Sequence, residues 1–182
     1  KLHDGTEMPW QVSGLSRGAA EEVALDIAGR PIYGGTPADQ SVIEAIRHLQ
    51  EQGVGVLYYP FVLMDQLEGN SLPDPYTGEL GQPALPWRGR ITLSGAPGQS
   101  SSPDGTAQAD AEVASFFGTV TAADFAVANG AVTYTGPEEW SYARFILHNA
   151  ALCAAAGGVD SFSIGSEMRE LTKIRGAAGF AA

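Results

Sequence analysis

At 182 residues and 44% apolar, the chain is long enough for one domain with a real core. Its net charge of −11, with the few arginines scattered and no basic stripe, argues against a nucleic-acid partner. A single cysteine, Cys153, excludes an internal disulfide and any CxxC metal site, and no apolar run approaches the roughly 20 residues of a membrane span.

In chain order, "EEVALDIAG" (21–29) reads as a helix ending at Gly29. "RPIYGG" then gives a short strand over 31–35. In "TPAD", Thr36 is placed as N-cap, Pro37 as the first helical residue and Asp39 as an acidic first-turn residue. Val42, Ile43, Ile46 and Leu49 form an apolar stripe at helical spacing, and Gly53 ends the helix. "VGVLYYPFVLMD" (54–65) is continuously apolar, so it reads as a strand buried on both faces, with Pro60 marking a bulge or an early end. Strand, helix, strand with short connections is a βαβ unit, which implies parallel pairing.

Residues 66–109 break this alternation with six prolines and many Gly and Ser. An excursion this long is functional or disordered. "LPDPYTG" and "PWRGRITL" read as ordered, "SGAPGQSSSPDGT" as mobile. Two modest helices, "AQADAEVASFFG" and "TAADFAVANG", follow, and "AVTY" is a short strand or hairpin arm. "TGPEEWSYARFILHNAALCAAAGG" (135–158) is expected to be the best helix. Pro137 would start it, Glu138 and Glu139 would be surface charges of its first turn, and Gly157 would end it. Trp140, Ala143, Leu147, Ala150, Ala151 and Ala154 would line one face. A strand over 159–166 comes next, then Glu167.

The C-terminal ends of parallel strands share one face, and sites form there. The excursion leaves its strand at that face. Folded back, it would bring Tyr76, Trp87, Arg88 and Arg90 near Glu167. A carboxyl at a strand end suits glycosidic bond cleavage, in which one carboxyl protonates the leaving oxygen and a second attacks the sugar or activates water. Aromatic residues at the rim would stack on sugar rings. From its position alone, Glu167 is read first in plain terms, as a solvated residue or a salt-bridge partner of Arg169 or Arg175, and only second as a catalytic group. Asp65 either lines the pocket or merely terminates its strand. Glu170 is placed on the first turn of a following helix. Cys153, between Leu152 and Ala154, reads as a buried structural thiol. No G-x-S-x-G elbow activates a serine, no glycine fingerprint marks a phosphate or dinucleotide, and no cofactor or metal is expected.

Several stretches together are similar to a known family. "YGGTPADQSV", "LYYPFVLMDQ", "NSLPDPYTG", "QPALPWRGRIT", "SPDGTA", "EEWSYARFILHNA" and "GGVDSFSIGSEMREL" resemble the glycoside-hydrolase-like TIM-barrel domain of gene transfer agent tail proteins, over about residues 10–176. The two loop motifs "LPDPY" and "PWRGRIT" are the most specific. The resemblance implies an α/β fold: a partial (β/α)8 barrel in which residues 1–182 are a fragment of one domain. That fragment would hold about strands two to four with their helices, and 66–109 would be a long βα-loop insertion. It implies a tail-tip or baseplate role in a phage-like particle, assembled in the cytoplasm and acting at the host cell envelope.

The resemblance also assigns roles. Glu167 stands where retaining glycosidases of this barrel clan carry the acid/base glutamate. Ser166 occupies the place of their usual asparagine, a departure from the pattern. Asp65, Tyr76, Trp87 and Arg88 would bind substrate, and the nucleophile would lie on a later strand outside this chain. The implied partners are an envelope glycan or peptidoglycan, other tail or baseplate proteins, and a second copy covering the open barrel faces. A non-catalytic scaffold or glycan-binding barrel is the alternative.

Overall fold

The computed structural model describes residues 37–180, apart from 63, 65 and 67. The helix expected at 21–29, the strand at 31–35 and the Thr36 cap lie outside the described residues.

Helix α1 spans Asp39–Glu51. Its N-cap is Ala38, with no side-chain cap, and Pro37 precedes it in extended chain. The expected stripe is only partly inward: Ile43 and Ile46 are buried and Val42 packs beside them, while Leu49 is exposed. Strand β1 is just Leu57–Tyr58. The apolar run was expected to be buried on both faces over 54–64. Instead the ladder stops before Pro60, which has no N–H to continue it, and Leu57 remains 68% exposed.

Strand β4 (Ser161–Phe162) pairs with β1 in parallel, Leu57 opposite Ser161 and Tyr58 opposite Phe162. Asp160 fixes the register by accepting the Val56 N–H at 2.7 Å. The Tyr58 and Phe162 rings stack at 5.9 Å on the side of the pair that meets the helices.

Helix α3 (Tyr142–Ala156) packs along α1 and onto that same side. Ile43 and Ile46 of α1, Val56, and Leu152, Cys153, Ala155 and Ala156 of α3 form one core. Among the described residues, both helices lie on one side of the parallel pair. No closed barrel exists among the described residues.

Helix α3 begins at Tyr142, five residues later than its expected start at Pro137. Ser141 is the N-cap, accepting from Arg144 N, and Gly157 closes the helix in the left-handed region. Glu139, expected as a free surface charge, instead accepts hydrogen bonds from Thr119, Val120 and Ser141. Desolvation pushes its carboxyl up, but those hydrogen bonds outweigh it and hold the group below the ordinary glutamate range. That capture keeps 137–140 out of the helix.

The buried face of α3 also differs from the expected alanine stripe. It carries Phe145, His148, Asn149, Leu152 and Cys153, while Ala154 is exposed. The polar members are matched to partners. His148 Nε2 lies 3.1 Å from Asp39 Oδ1, and Asn149 Oδ1 accepts the Tyr58 hydroxyl at 2.7 Å. Arg144 is stacked between Tyr134 and Trp140.

Burial pushes the Cys153 thiol up to about 11, so little thiolate exists at neutral pH. Native alkylation by iodoacetamide at pH 8 should run about 100-fold slower than in denaturant. Comparable rates in the two states would contradict the buried placement.

Helix α2 (Ala107–Phe117) appears where expected, capped by Thr106. The helix expected over 121–130 does not. A 3-10 turn (Ala122–Asp124) leads into β2 (Phe125–Ala128), which pairs antiparallel with β3 (Ala131–Tyr134). Asn129 and Gly130, both with positive φ, make the tight turn between them.

The 94–106 stretch, expected to be mobile, is tied down. Asp104 accepts from the backbone N–H and Nε–H of Arg175, and Gly105 N donates to Arg175 O at 2.7 Å. Among the described residues no α-helix follows Glu167. Glu170 instead caps a 3-10 turn (Leu171–Lys173) and pairs with Lys173, and β5 (Arg175–Gly176) and β6 (Gly179–Phe180) form a small hairpin.

Hydrogen bonds from Arg175 hold the Asp104 carboxyl below the ordinary aspartate range. A depressed folded value means the tie contributes above the unfolded value, about 3.9, and is lost as pH falls below it. Asp104→Asn should therefore speed protease cleavage within 94–106 at pH 7, and wild-type cleavage by an acid protease should accelerate below about pH 4. Equal rates for both proteins at pH 7 would show that the tie does not hold the loop.

Candidate functional site

The exits of the two parallel strands meet the excursion at one place. Past β1 come Tyr59 and Phe61; past β4 come Ser166 and Glu167; Trp87 and Arg88 arrive from the excursion at a 3-10 turn (Arg88–Arg90). The turn is anchored by Glu170 N donating to Gly89 O at 3.2 Å.

Arg88 is the hub. Its side chain is only 7% exposed and its guanidinium stacks 3.6 Å from the Phe61 ring centroid. Nη2 forms an ion pair with Glu167 Oε2 at 2.8 Å and donates to the Tyr59 hydroxyl at 3.1 Å, and Nε donates to Ser166 O at 3.3 Å. The Tyr59 hydroxyl also bonds Ser166 Oγ. Trp87 Nε1–H donates to the same Glu167 oxygen at 2.8 Å. Glu167 therefore has Oε2 held twice, while Oε1 takes no hydrogen bond from the described residues. Its side chain is 52% exposed.

The backbone is strained here. Among the described residues, three non-glycine residues have positive φ: Asn129 at the hairpin turn, Glu167 (61°) and Leu85 (43°). Two of the three border this one place. Such conformations cost about 1–3 kcal/mol each and cluster where function over-determines the chain. Gly165 has a further constraint, since a Cβ there would sit 2.6 Å from the Tyr142 hydroxyl, which donates to Ile164 O.

Beside Arg88 opens a pocket of about 230 Å³. Val62, Met64, Leu85 and Pro86 form its wall, and Phe61 and Trp87 flank it. Among the described residues, no group of three or more His, Cys, Asp or Glu could hold a metal, and no helix is long and apolar enough to cross a membrane.

The structure thus gathers Trp87 and Arg88 with Glu167. Glu167 is not paired with Arg169 or Arg175, which engage Glu170 and Asp104 instead. Tyr76 belongs to a neighbouring unit: its hydroxyl donates to Arg90 O, the Arg90 guanidinium lies over its ring, and Arg90 reaches Asp74 at 3.4 Å. Asp65 lies outside the described residues. Tyr59 and Phe61 were missed, because inside an unbroken apolar run they read as strand interior. The signal was Pro60, which ends the ladder and frees both neighbours to face the site.

The family comparison bears directly on the Glu167 side of this cluster. Residues 140–182 match the GTA TIM-barrel-like domain. The match covers about a quarter of the chain and includes α3, β4, Glu167 and the β5–β6 hairpin. The likeness is to a gene transfer agent TIM-barrel-like domain and suggests a gene transfer agent protein. Within the matched segment, Glu167 is the carboxylate held by the excursion. No curated protein matches the chain.

Proposed function

We propose that the chain is part of a tail-tip protein of a gene transfer agent, in which a partial (β/α)8 barrel hydrolyses a glycosidic bond of the host envelope. Residues 1–182 would be one portion of that domain, with 66–109 as its long βα insertion. Two helices on one side of a parallel pair support the barrel. So does exposed Leu57 on the other side, which would face a barrel interior. A second copy or neighbouring tail proteins would cover such open surfaces in the particle.

The observation that carries the reading is the posture of Glu167. It stands at a strand exit, strained, with one oxygen fixed and one free. A glycosidic oxygen approaching Oε1 would receive the proton of the carboxylic acid as its C–O bond breaks. Arg88 and Trp87 on Oε2 would then stabilise the carboxylate left behind. The second carboxyl of the pair would come from elsewhere in the barrel. Trp87 offers an exposed ring for the sugar face, and Tyr76 and Asp65 would extend the binding surface.

Glu167→Gln tests this with purified envelope glycan: cleavage should be lost while glycan binding persists. The Arg88 pair itself favours a second reading, in which Glu167 anchors the excursion in a non-catalytic, glycan-binding barrel. Binding without turnover by the wild type would select it.

A further inference from the structure

The pocket beside Arg88 has an apolar wall and one polar lining side chain. That side chain is more than nine-tenths buried, yet its donors are not all used. Nε and Nη2 have acceptors; Nη1 takes none among the described residues and is not fully buried, on a side chain that lines the pocket. An open donor in an apolar recess calls for a ligand atom that accepts a hydrogen bond.

Charge decides what kind. Arg88 is already balanced by Glu167 at 2.8 Å. A second anion would give up part of its hydration against an apolar wall, with no further cation there to balance it. A neutral acceptor avoids it. A lone sugar hydroxyl would satisfy Nη1 but leave the Val62, Met64, Leu85 and Pro86 wall uncovered. A secondary amide carrying a methyl group fits both features: its carbonyl oxygen faces the guanidinium and its methyl group faces the wall. We infer that this pocket is a subsite for the acetamido group of a neutral N-acetylamino sugar, seated next to Glu167 with its ring against Trp87. The inference rests on the glycan reading above and narrows it to one substrate class.

The strain at Leu85 fits this assignment. Its left-handed backbone places a large apolar side chain at the pocket wall where glycine would be the relaxed choice.

The test is titration calorimetry of the full chain with three trisaccharides: tri-N-acetylchitotriose, cellotriose and trigalacturonate. Two variants accompany it. Arg88→Lys keeps a cation opposite Glu167 but removes the open donor. Leu85→Trp fills the pocket from a partly exposed position. Tri-N-acetylchitotriose should bind about tenfold tighter than cellotriose, the worth of one hydrogen bond and one buried methyl. Both variants should bring that ratio to about one, with unchanged circular dichroism. Equal binding of the two neutral sugars by the wild type overturns the acetamido assignment and leaves the glycan reading standing. Tightest binding of trigalacturonate overturns it in favour of a carboxylate site. A preference that survives Leu85→Trp places the acetamido group elsewhere and overturns the pocket assignment. Binding of none of the three overturns both readings.

Discussion

Glu167→Gln should lower glycan hydrolysis by about 10²- to 10⁴-fold, the range a positioned general acid contributes. The substitution is nearly isosteric, so the strained backbone at φ 61° and the hydrogen bond from Trp87 can both be kept through the amide oxygen. What goes is the transferable proton and the negative charge facing Arg88. The Arg88 side chain is buried, so losing its counter-ion also weakens the tie to the excursion. Two measurements separate these effects. Cleavage rate reports the proton, and thermal melting reports the tie. A fallen rate with small melting change is the expected pattern. An unchanged rate would remove Glu167 from the chemistry, whatever the melting curve showed.

Leu152→Ala should destabilise the fold by about 3 kcal/mol, within the range for deleting a buried leucine from a packed core. Leu152 is 2% exposed and sits where α1, α3 and the parallel pair meet. Its neighbours Ile43 and Ile46 of α1 and Val56 before β1 cannot collapse together, because Tyr58–Asn149 and Asp160–Val56 hydrogen bonds hold the strands and helix at fixed spacing. The hole therefore stays open. Urea unfolding checks it: the midpoint should fall with the slope unchanged. A loss under about 1 kcal/mol would mean the cluster is looser than its burial implies.

Much of the local structure was legible from single residues. Gly157 marks a helix end that occurs, and the second and third expected strands do pair in parallel, through the short segments 57–58 and 161–162; the partner strand expected at 31–35 lies outside the described residues. The misreadings have physical causes. "TAADFAVANG" has helical composition, yet Asn129–Gly130 demanded a tight hairpin turn, and alanine tolerates a strand when Phe125 packs on Tyr134. The inward face of α3 was misjudged because alanine spacing was weighed above polar residues. Arg144, His148 and Asn149 turn inward because aromatic rings, a carboxylate and a tyrosine hydroxyl await them. At the site, parallel topology placed Trp87 and Arg88 correctly beside Glu167. It could not place Tyr76, whose partner Arg90 is a local contact that no periodicity reveals. Nor could it reveal that Arg88 binds inward to protein groups with most of its donors, since that depends on Tyr59 and Ser166 arriving from two strand exits.

The ties between the excursion and the segment after β4 are all far apart along the chain. Trp87 to Glu167 spans 80 residues, Arg88 to Ser166 spans 78, and Asp104 to Arg175 spans 71. Emerging from a ribosome at about 5–20 residues per second, the excursion waits roughly 4–15 s for its anchors to be made. The carboxylate, its arginine and its indole therefore come together late, after α1 and β1 have left the ribosome, and α3 must seat first to present the β4 exit. Through that interval Val62 and Arg88, both buried in the finished fold, remain uncovered, so the stretch that builds the pocket is also where a nascent chain is open to chaperones and to mispairing.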